Sequence, residues 1–456
     1  MPRLLIVSPH FPPVNAPDMQ RVRMSLPHFV EAGWDVVVLA ADDREPMAPL
    51  EPDLLETIPA AVRVVRARCL SRRWTRWLGV NNLGLRVWPF LAAAGSRLLA
   101  ENRFDVVYFS TTQFSVVPLG RLWRWKHSVP YVIDLQDPWL SDYYSQPGAP
   151  RPPGGWKYRF ARAQARLLEG WTLRKVAHLI SVSGHYVTTL NQRYPWFRST
   201  PCSVLTFGAP DRDLILARRK AEQQPPLLPN TPSFKIAYAG RLGPDMLPAL
   251  DLLLAGLAAH RDAPRPIEIF FYGTSYAPAD QAAPTTAALA AKHGIAHLVH
   301  ESPARIGYLD SLRLLLESDL TLLLGSDDAA YSPSKVYPTL LAGKPTIALA
   351  PAQSVLEQKI RELGGAGLAT FSADAPSDAA ARARLLELLA QFTQSPTAPL
   401  GAPLGRDWFD REYSAAAIAA KQLRIFADVI SAQSPRPTPP DRRPPNGLAN
   451  QTPAAT

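Results

Sequence analysis

The chain has 456 residues, a length typical of two or three domains, and its 49 lysines and arginines against 39 acidic residues give a net charge of +10. Hydrophobic residues make up 47% and charged residues 19%, which leaves enough apolar material for two sizeable cores. With only two cysteines, a disulfide-stapled scaffold and multi-cysteine metal modules are excluded. No apolar run has the length of a bilayer span or of a signal peptide, so we expect a cytoplasmic protein.

Short β-branched apolar runs alternate with helical stretches in the first half of the chain. A continuous run of this kind is typical of a strand that is buried on both faces. Strands are predicted at Leu4–Ser8, Asp35–Ala40, Asp105–Ser110, Tyr131–Leu135 and Leu179–Val182, and a helix at Gln20–Ala32. The alternation indicates a parallel α/β sheet.

The same pattern starts again after a charged, proline-rich segment. Strands are predicted at Phe234–Ala239, Ile267–Tyr272, Asp319–Leu324 and Thr346–Leu349, and helices at Leu247–His260 and Leu309–Glu317. We therefore predict the α/β class, with two Rossmann-like, doubly wound parallel-sheet domains that face a cleft. The predicted domains are 1–217 and 234–410, with a linker at 218–233, a last helix at 411–430 and a disordered proline-rich tail at 431–456.

The positive charge is concentrated in three segments that also carry tryptophan. Residues 71–100 hold five arginines, three tryptophans and no acid, residues 121–127 read RLWRWKH, and the predicted helix 156–175 repeats arginine along one face. These segments fit peripheral contact with an anionic membrane, at the inner face of the plasma membrane. The other interpretation is a solvated basic face whose tryptophans lie in the core. Without a nucleic-acid-binding motif, no nucleic-acid partner is predicted.

Motifs for common cofactors and metals are missing or weak. The first βα turn lacks G-x-G-x-x-G, and no Walker lysine loop is present, so nicotinamide and ordinary ATP sites are not expected. His293, His297 and His300 have a metal-like spacing, but a glycine and an apparent strand interrupt the helical face that ligation needs. The D-x-D run at 211–213 is better explained as a surface turn or helix cap. We predict neither a metal nor a cofactor.

Acidic residues follow one of the predicted strands of the first domain. Asp134 and Asp137 lie where this strand ends, the edge at which open α/β sheets bind ligands. A carboxylate at this edge can orient an acceptor hydroxyl or accept its proton. The alternative is that Asp137 caps the following turn and that Asp134 has a structural role.

Basic and small residues occupy equivalent strand ends in the second domain. Gly240 lets the backbone approach a ligand closely, and Arg241 can bind a diphosphate with two parallel hydrogen bonds. Ser334 and Lys335 lie at the start of a predicted helix, whose free N–H groups can bind an anion. Together these residues indicate a diphosphate site.

In their order along the chain, these motifs resemble the glycosyltransferase family 4 group with the GT-B fold, in its "PSK" variant. The resemblance covers most of residues 1–430 and rests on Phe11-Pro12-Pro13 with Arg21 and Arg23, and on Asp134–Trp139, Leu179–Ser183, Tyr238–Leu242, Ile267–Gly273 and Ser332–Leu349. It implies a retaining transferase that moves a sugar from a nucleotide-sugar donor to a hydroxyl without a bound metal. The basic tryptophan segments favour an acceptor that is lipid-linked or a surface-polysaccharide intermediate of the cell envelope.

The resemblance also implies roles for individual residues. The donor-binding residues would be Gly240, Arg241, Gly273, Ser334, Lys335 and Tyr337. The acceptor-side residues would be His10, Asn15, Arg21, Asp134 and Asp137. We expect the catalytic residues to be Asp137, Arg241 and Lys335.

Three departures from the family pattern favour an alternative. The usual glycines of the first loop are replaced by Asn15-Ala16-Pro17, and the lysine usual beyond Arg241 is missing. Ala330 and Pro338 occupy the places nearest to two usual glutamates. The alternative is a non-catalytic GT-B-fold subunit that binds a partner transferase or a glycan at the membrane.

Overall fold

The computed structural model describes residues 1–42, 44, 46, 48–77, 79–140, 155–261, 265–275, 281–327, 334–372, 379–394 and 406–433. The first part of the chain contains β1 (Arg3–Val7), α1 (Gln20–Glu31), β2 (Asp35–Ala41), β3 (Arg63–Ala67), α2 (Arg72–Trp77), α3 (Leu83–Glu101), β4 (Val106–Ser110), α4 (Leu119–His127), β5 (Tyr131–Leu135), α5 (Trp156–Leu173), β6 (His178–Ser181), α6 (Gly184–Arg193) and β7 (Cys202–Val204).

The second part begins with a helix and repeats the alternation. It contains α7 (Asp211–Gln223), β8 (Phe234–Ala239), α8 (Leu247–Ala259), β9 (Ile267–Tyr272), α9 (Ala287–Lys292), β10 (Val299–Ser302), α10 (Tyr308–Glu317), β11 (Leu320–Leu324), α11 (Val336–Leu341), β12 (Thr346–Pro351), α12 (Val355–Leu363), β13 (Gly367–Phe371), α13 (Ala379–Gln394), α14 (Arg406–Tyr413) and α15 (Ala415–Ser431). Short 3-10 helices occur at Pro17–Met19, Pro52–Thr57, Phe114–Val116, Pro195–Ser199, Pro244–Met246 and Ala296–Leu298.

The strands form two parallel sheets, one in each part of the chain. The first sheet has seven strands in the order β3-β2-β1-β4-β5-β6-β7, and the second has six in the order β10-β9-β8-β11-β12-β13. In each sheet the chain reverses its direction of winding beside the first strand, at β1–β4 and at β8–β11. Such switch points open a crevice at the carboxyl ends of the strands. The predicted α/β class with two doubly wound domains is confirmed.

Helices cover both faces of the first sheet. One face packs on α3 and α4, and the buried ring of Trp123 stacks 5.8 Å from that of Phe109. The opposite face packs on α1 and on α15, the last helix of the described chain. Phe426 of α15 contacts Phe29 and Tyr108, with ring centroids 6.0 and 5.0 Å apart. The chain therefore returns to its first domain after completing the second.

Buried polar contacts join the two domains behind the cleft. The guanidinium of Arg23 donates two hydrogen bonds to the carboxylate of Asp213 on α7, at 2.7 and 2.6 Å. The hydroxyl of Tyr308 on α10 donates to the same carboxylate at 3.0 Å. Because Arg23 is completely buried, the loss of either partner would leave an uncompensated charge. These contacts fix how α1 lies against α7 and α10.

Some predicted boundaries differ from the structure. Residues 218–223 of the predicted linker continue α7, and the predicted last helix is divided into α14 and α15. The division of the chain into domains at the stated residues stays a prediction. The predicted tail from residue 434 onward, and Ser332 and Pro333, lie outside the described residues. Within the described ranges, no helix combines the length and the apolarity that a bilayer span requires.

The packing of Trp123 against α3 allows a test of the first domain's core. A Cβ atom on Gly95 would lie 2.2 Å from the ring of Trp123, so Gly95→Ala must displace a buried indole. We expect this overpacking, which typically costs about 1–3 kcal/mol, to exceed the gain of about 1 kcal/mol in helix propensity. Thermal unfolding should show a lower melting temperature for Gly95→Ala.

The matched control is Gly184→Ala in the first turn of α6. Its nearest neighbour would be 4.0 Å from the new methyl group, so the melting temperature should not fall. Equal melting temperatures for Gly95→Ala and the unchanged protein would contradict the packing described for α3 and α4.

Candidate functional site

A cavity of about 300 Å³ lies between the two domains, a size at the lower end of small-molecule sites. From the second domain it is lined by Gly240, Arg241, Gly273, Arg305, Ser334 and Lys335, among others. The first domain contributes Asn15, Pro17, Gln20 and Met24. Five of the six predicted donor-binding residues therefore line one cavity.

Lys335 reaches across the end of β8 through space that a glycine leaves open. Its Nζ donates a hydrogen bond of 2.5 Å to the carbonyl oxygen of Ala239. A Cβ atom on Gly240 would lie 1.4 Å from this Nζ, and the φ angle of Gly240, +155°, is one that other residues rarely adopt. A side chain at position 240 would therefore displace the ammonium group from the cavity.

Arg241 is held in place by an acidic residue four positions further on. Its two terminal nitrogens each donate to the carboxylate of Asp245, both at 2.7 Å. The hydroxyl of Ser326 donates to the same carboxylate at 2.6 Å. The hydrogen bonds from Arg241 lower the pKa of Asp245, which is thus ionised at neutral pH. This pairing orients the guanidinium at the carboxyl edge of the second sheet.

Two arginines add positive charge to the surroundings of Lys335. Burial lowers the pKa of the Lys335 ammonium to about 7, and the charges of Arg241 and Arg305 contribute to the same shift. An anion bound in the cavity would oppose all of these effects. The site is therefore electrostatically suited to a phosphate or diphosphate group.

A carboxylate of the first domain binds the start of α10, next to the cavity. Glu51 accepts hydrogen bonds from the backbone N–H groups of Tyr308 and Leu309, at 2.7 and 2.9 Å, which are the first two of α10. The side-chain amide of Asn15 donates to Glu51 at 2.8 Å. A carboxylate at a helix N-terminus is favourably placed. Asn15 thus reaches the cavity but is engaged in holding the domains together.

Arg21 and Asp134, which were predicted on the acceptor side, pair with each other in the interior of the first domain. The Nε of Arg21 lies 2.8 Å from Oδ2 of Asp134, and both side chains are buried. Ser110 donates to the same oxygen at 2.8 Å, and Arg21 also donates to the backbone oxygens of Leu205 and Thr206. Neither residue lines the cavity. The structural alternative considered for Asp134 fits this arrangement.

His10 and Asp137 lie near a second carboxylate at the edge of the first sheet. Nδ1 of His10 is 2.9 Å from Oδ1 of Asp18, and the hydroxyl of Thr111 donates to Oδ2 of Asp18 at 2.9 Å. The surroundings of Asp137 partly desolvate its carboxyl group, and this, with the charge of Asp18, raises its pKa. His10 and Asp137 do not line the cavity itself. Their acceptor-side roles stay a prediction.

Tyr337, the sixth predicted donor-binding residue, does not line the cavity. It lies in α11 with its ring 5.2 Å from that of Tyr413, and its side chain is buried. Burial raises the pKa of its hydroxyl to about 12. Lys335, two residues earlier, points into the cavity instead, so Tyr337 packs α11 and α14 together.

The residues considered as metal ligands are engaged elsewhere. Nε2 of His293 lies 2.7 Å from Asp251, and the ring of His300 stacks 4.6 Å from that of Phe270. Asp213, the second acid of the D-x-D run, pairs with Arg23 rather than capping a helix. In the part of the chain that the structure describes, no three potential ligands come together as a metal site.

Two residues that line the cavity, Arg305 and Gln20, and one beside it, Glu51, lie outside the predicted motifs. Arg305 follows β10, a half-buried strand without a continuous apolar run, so its position at a strand end was not visible in the sequence. Gln20 begins α1, and Glu51 lies in a proline-rich loop before a short 3-10 helix. Arg305 could have been predicted as a site residue only if β10 had first been recognised as an edge strand, because Arg305 follows its end by three residues.

Comparison with known proteins was made on sequence and on structure. Residues 20–208 match the family model described as "Glycosyl transferase 4-like domain". No curated protein gives a significant sequence match.

Solved structures with the same fold extend over both domains. Sucrose-phosphate synthase from Thermosynechococcus elongatus is 14% identical, with a TM-score of 0.60, and the match covers 95% of this chain and 100% of that one. Anabaena Alr3699/HepE in complex with UDP-glucose is 14% identical, with a TM-score of 0.57 and coverages of 94% and 100%. A UDP-forming α,α-trehalose-phosphate synthase from Burkholderia xenovorans is 12% identical, with a TM-score of 0.60 and coverages of 95% and 100%.

The family match and the two-domain architecture agree with each other and with the sequence motifs. The matched segment lies in the first domain, and the GT-B arrangement of the solved structures spans the first and the second. The chain therefore carries a glycosyltransferase 4-like domain at residues 20–208 and has the GT-B fold.

Proposed function

We propose that the chain transfers a sugar from a nucleotide-sugar donor to a hydroxyl acceptor with retention of anomeric configuration and without a bound metal. The observation that carries this proposal is the cluster of Arg241, Arg305 and Lys335 around one cavity at the carboxyl edge of the second sheet. A diphosphate is the ligand that such a cluster neutralises best. UDP-glucose is the first donor to try, because HepE was solved with it and the Burkholderia enzyme is UDP-forming.

In the proposed reaction the anomeric C–O bond to the diphosphate breaks while a bond to the acceptor oxygen forms on the same face of the sugar. Negative charge develops on the departing phosphate, where Arg241 and Lys335 stabilise it in place of a metal. The acceptor proton passes to an oxygen of this phosphate, so no strong protein base is needed. Asp137, with His10 beside Asp18, positions the acceptor at the edge of the first sheet. We further propose a lipid-linked or surface-polysaccharide acceptor.

Donor binding can be tested by thermal unfolding with a panel of nucleoside diphosphates, with and without a divalent cation. We expect one diphosphate to raise the melting temperature without metal, because the cavity offers cations for both phosphates. A ligand at about 100 times its Kd stabilises the folded state by about 2.7 kcal/mol, which such a measurement resolves. Stabilisation that requires the cation would contradict the metal-independent part of the proposal.

One observation favours a second candidate, the non-catalytic subunit. Asn15 of the first loop donates to Glu51, and Glu51 accepts from the start of α10. A contact between the domains therefore stands where the usual glycines of that loop would be. If no nucleotide alters a cooperative melting transition, and a second transferase co-purifies with the chain, this candidate replaces the first.

Turnover should depend on the two cations that contact the departing phosphate. We expect Arg241→Ala and Lys335→Ala each to lower kcat at least ~100-fold, since each removes charge stabilisation from the transition state. Activity with UDP-sugars, read as released nucleoside diphosphate, provides the measurement.

The matched control for these variants is Lys292→Ala. Lys292 belongs to the same domain but pairs with Asp251 at 3.0 Å, outside the cavity. Its removal should leave kcat unchanged. Near-normal turnover in both Arg241→Ala and Lys335→Ala, with normal folding, would refute the assignment.

Donor affinity should weaken as the pH rises above about 7. In the free protein the pKa of Lys335 is about 7, and a bound diphosphate raises it, so binding takes up a proton between the two pKa values. The Kd of a UDP-sugar should therefore rise by up to about tenfold per pH unit above 7 and be nearly constant below it. Titration calorimetry in two buffers of different ionisation enthalpy measures this proton uptake directly, and Lys335→Gln should abolish it.

A further inference from the structure

Exposed large apolar side chains are concentrated in one part of the first domain. Among the described residues, thirteen such side chains are exposed, and none of them lies beyond residue 215. Eight belong to the segment from the end of β3 to α5: Leu70, Trp74, Trp77, Leu85, Leu122, Trp125, Leu167 and Trp171. Trp74, Trp77 and Trp125 are 75%, 93% and 83% exposed, although tryptophan is usually well buried.

The helices α3, α4 and α5 lie on one side of the first sheet, and the start of α2 is tied to α3. α3 and α4 pack on the same face of the first sheet, opposite to α1 and α15. Arg121 of α4 lies over the ring of Trp171 on α5 at 4.4 Å, and Tyr131 donates to the backbone oxygen of Thr172 at 2.5 Å. Arg86 of α3 donates to the backbone oxygen of Leu70, just before α2, at 2.8 Å. We call the outer surface of α2, α4 and α5 the basic tryptophan face.

The charge on this face has one sign. The sequence has no acidic residue at 71–100 or at 119–133, and 156–177 contains only Glu169. Glu169 points inward, where its side chain is 2% exposed and lies 2.7 Å from Arg193. The exposed cations are Arg73, Arg76, Lys126, Arg166, Arg174 and Lys175, among others. The apolar tips are therefore surrounded by positive charge alone.

We propose that the basic tryptophan face docks on an anionic lipid bilayer. Amphipathic indole rings favour the membrane–water interface, and arginine and lysine beside them are attracted to anionic headgroups. The tips project from three helices instead of lining a groove, which fits insertion among headgroups better than capture of a peptide. Because no described helix has the length and apolarity of a span, the contact is interfacial.

Membrane docking would explain how a lipid-linked acceptor reaches the cleft, and this part of the inference rests on the proposed function. α2 follows β3, whose carboxyl end lies at the cleft edge of the first sheet. Contact through α2 therefore brings the cleft next to the headgroups. A lipid-linked acceptor then presents its hydroxyl to the cleft while its lipid stays in the bilayer.

The test is co-sedimentation of the full chain with vesicles of phosphatidylcholine alone or with about 30% phosphatidylglycerol. We expect at least ~10-fold tighter binding to the anionic vesicles, weakening as salt is raised. The triple variant Trp74→Ser/Trp77→Ser/Trp125→Ser should bind at least ~10-fold more weakly to them. The variant Arg73→Gln/Arg76→Gln/Lys126→Gln should lose the preference for anionic lipid.

Matched controls lie on other surfaces. Ile215→Ser removes an apolar side chain that is 67% exposed on α7, and Arg382→Gln removes a cation from α13; both should bind vesicles like the unchanged protein. Equal binding to neutral and anionic vesicles, undiminished binding of the tryptophan variant, or retention on heparin without vesicle binding would each overturn the proposal. Vesicle binding needs no donor, so it can fail while nucleotides still stabilise the protein. Stabilisation by nucleotides can likewise fail while the protein still binds vesicles. The failure of the docking proposal and the failure of the proposed function are therefore distinguishable.

Discussion

The concentration of positive charge at one edge of the second sheet is the constraint on which the cleft depends. Lys335 extends over the bare backbone of Gly240, and Arg241 is fixed beside it by Asp245. Burial and the neighbouring arginines hold the pKa of Lys335 near 7, and the diphosphate of the proposed donor would oppose this effect. In the proposed reaction, cations already held in place would stabilise the developing phosphate charge without the reorganisation that water would need. The fold places these cations together because several parallel strands end at the same edge of the sheet.

The central strands of each sheet were predicted from the sequence, whereas the edge strands were not assigned. The central strands, such as β5, β8 and β9, were predicted at their observed bounds because both of their faces are buried and they read as continuous apolar runs. The strands without a prediction are β3, β7 and β13, and β10 was noted only as an apparent strand between the histidines at 293–300. These four are the edges of the two sheets. An edge strand is partly exposed and mixes polar with apolar residues, as in the VHES sequence of β10. Periodicity carries little information there.

The same limit decided how much of the site could be predicted. Gly240, Arg241 and Lys335 follow or face central strands, and their convergence was predicted from the strand ends. Arg305 follows the edge strand β10, and it was not predicted as a site residue. Arg21, Asp134 and Tyr337 have the residue types of a site, yet each is buried against partners distant in sequence, such as Leu205 and Tyr413. Local pattern cannot distinguish a polar side chain that faces a ligand from one that satisfies the interior.

The position of α15 has a consequence for biosynthesis. Phe426 and its neighbours complete the apolar layer over the first sheet, although they lie more than two hundred residues after β7, its last strand. At synthesis rates of about 5–20 residues per second, the first domain waits roughly ten seconds or longer on the ribosome with Phe29 and Tyr108 uncovered. The nascent first domain is therefore an expected client of chaperones, and its folding is completed only when the whole chain has been made.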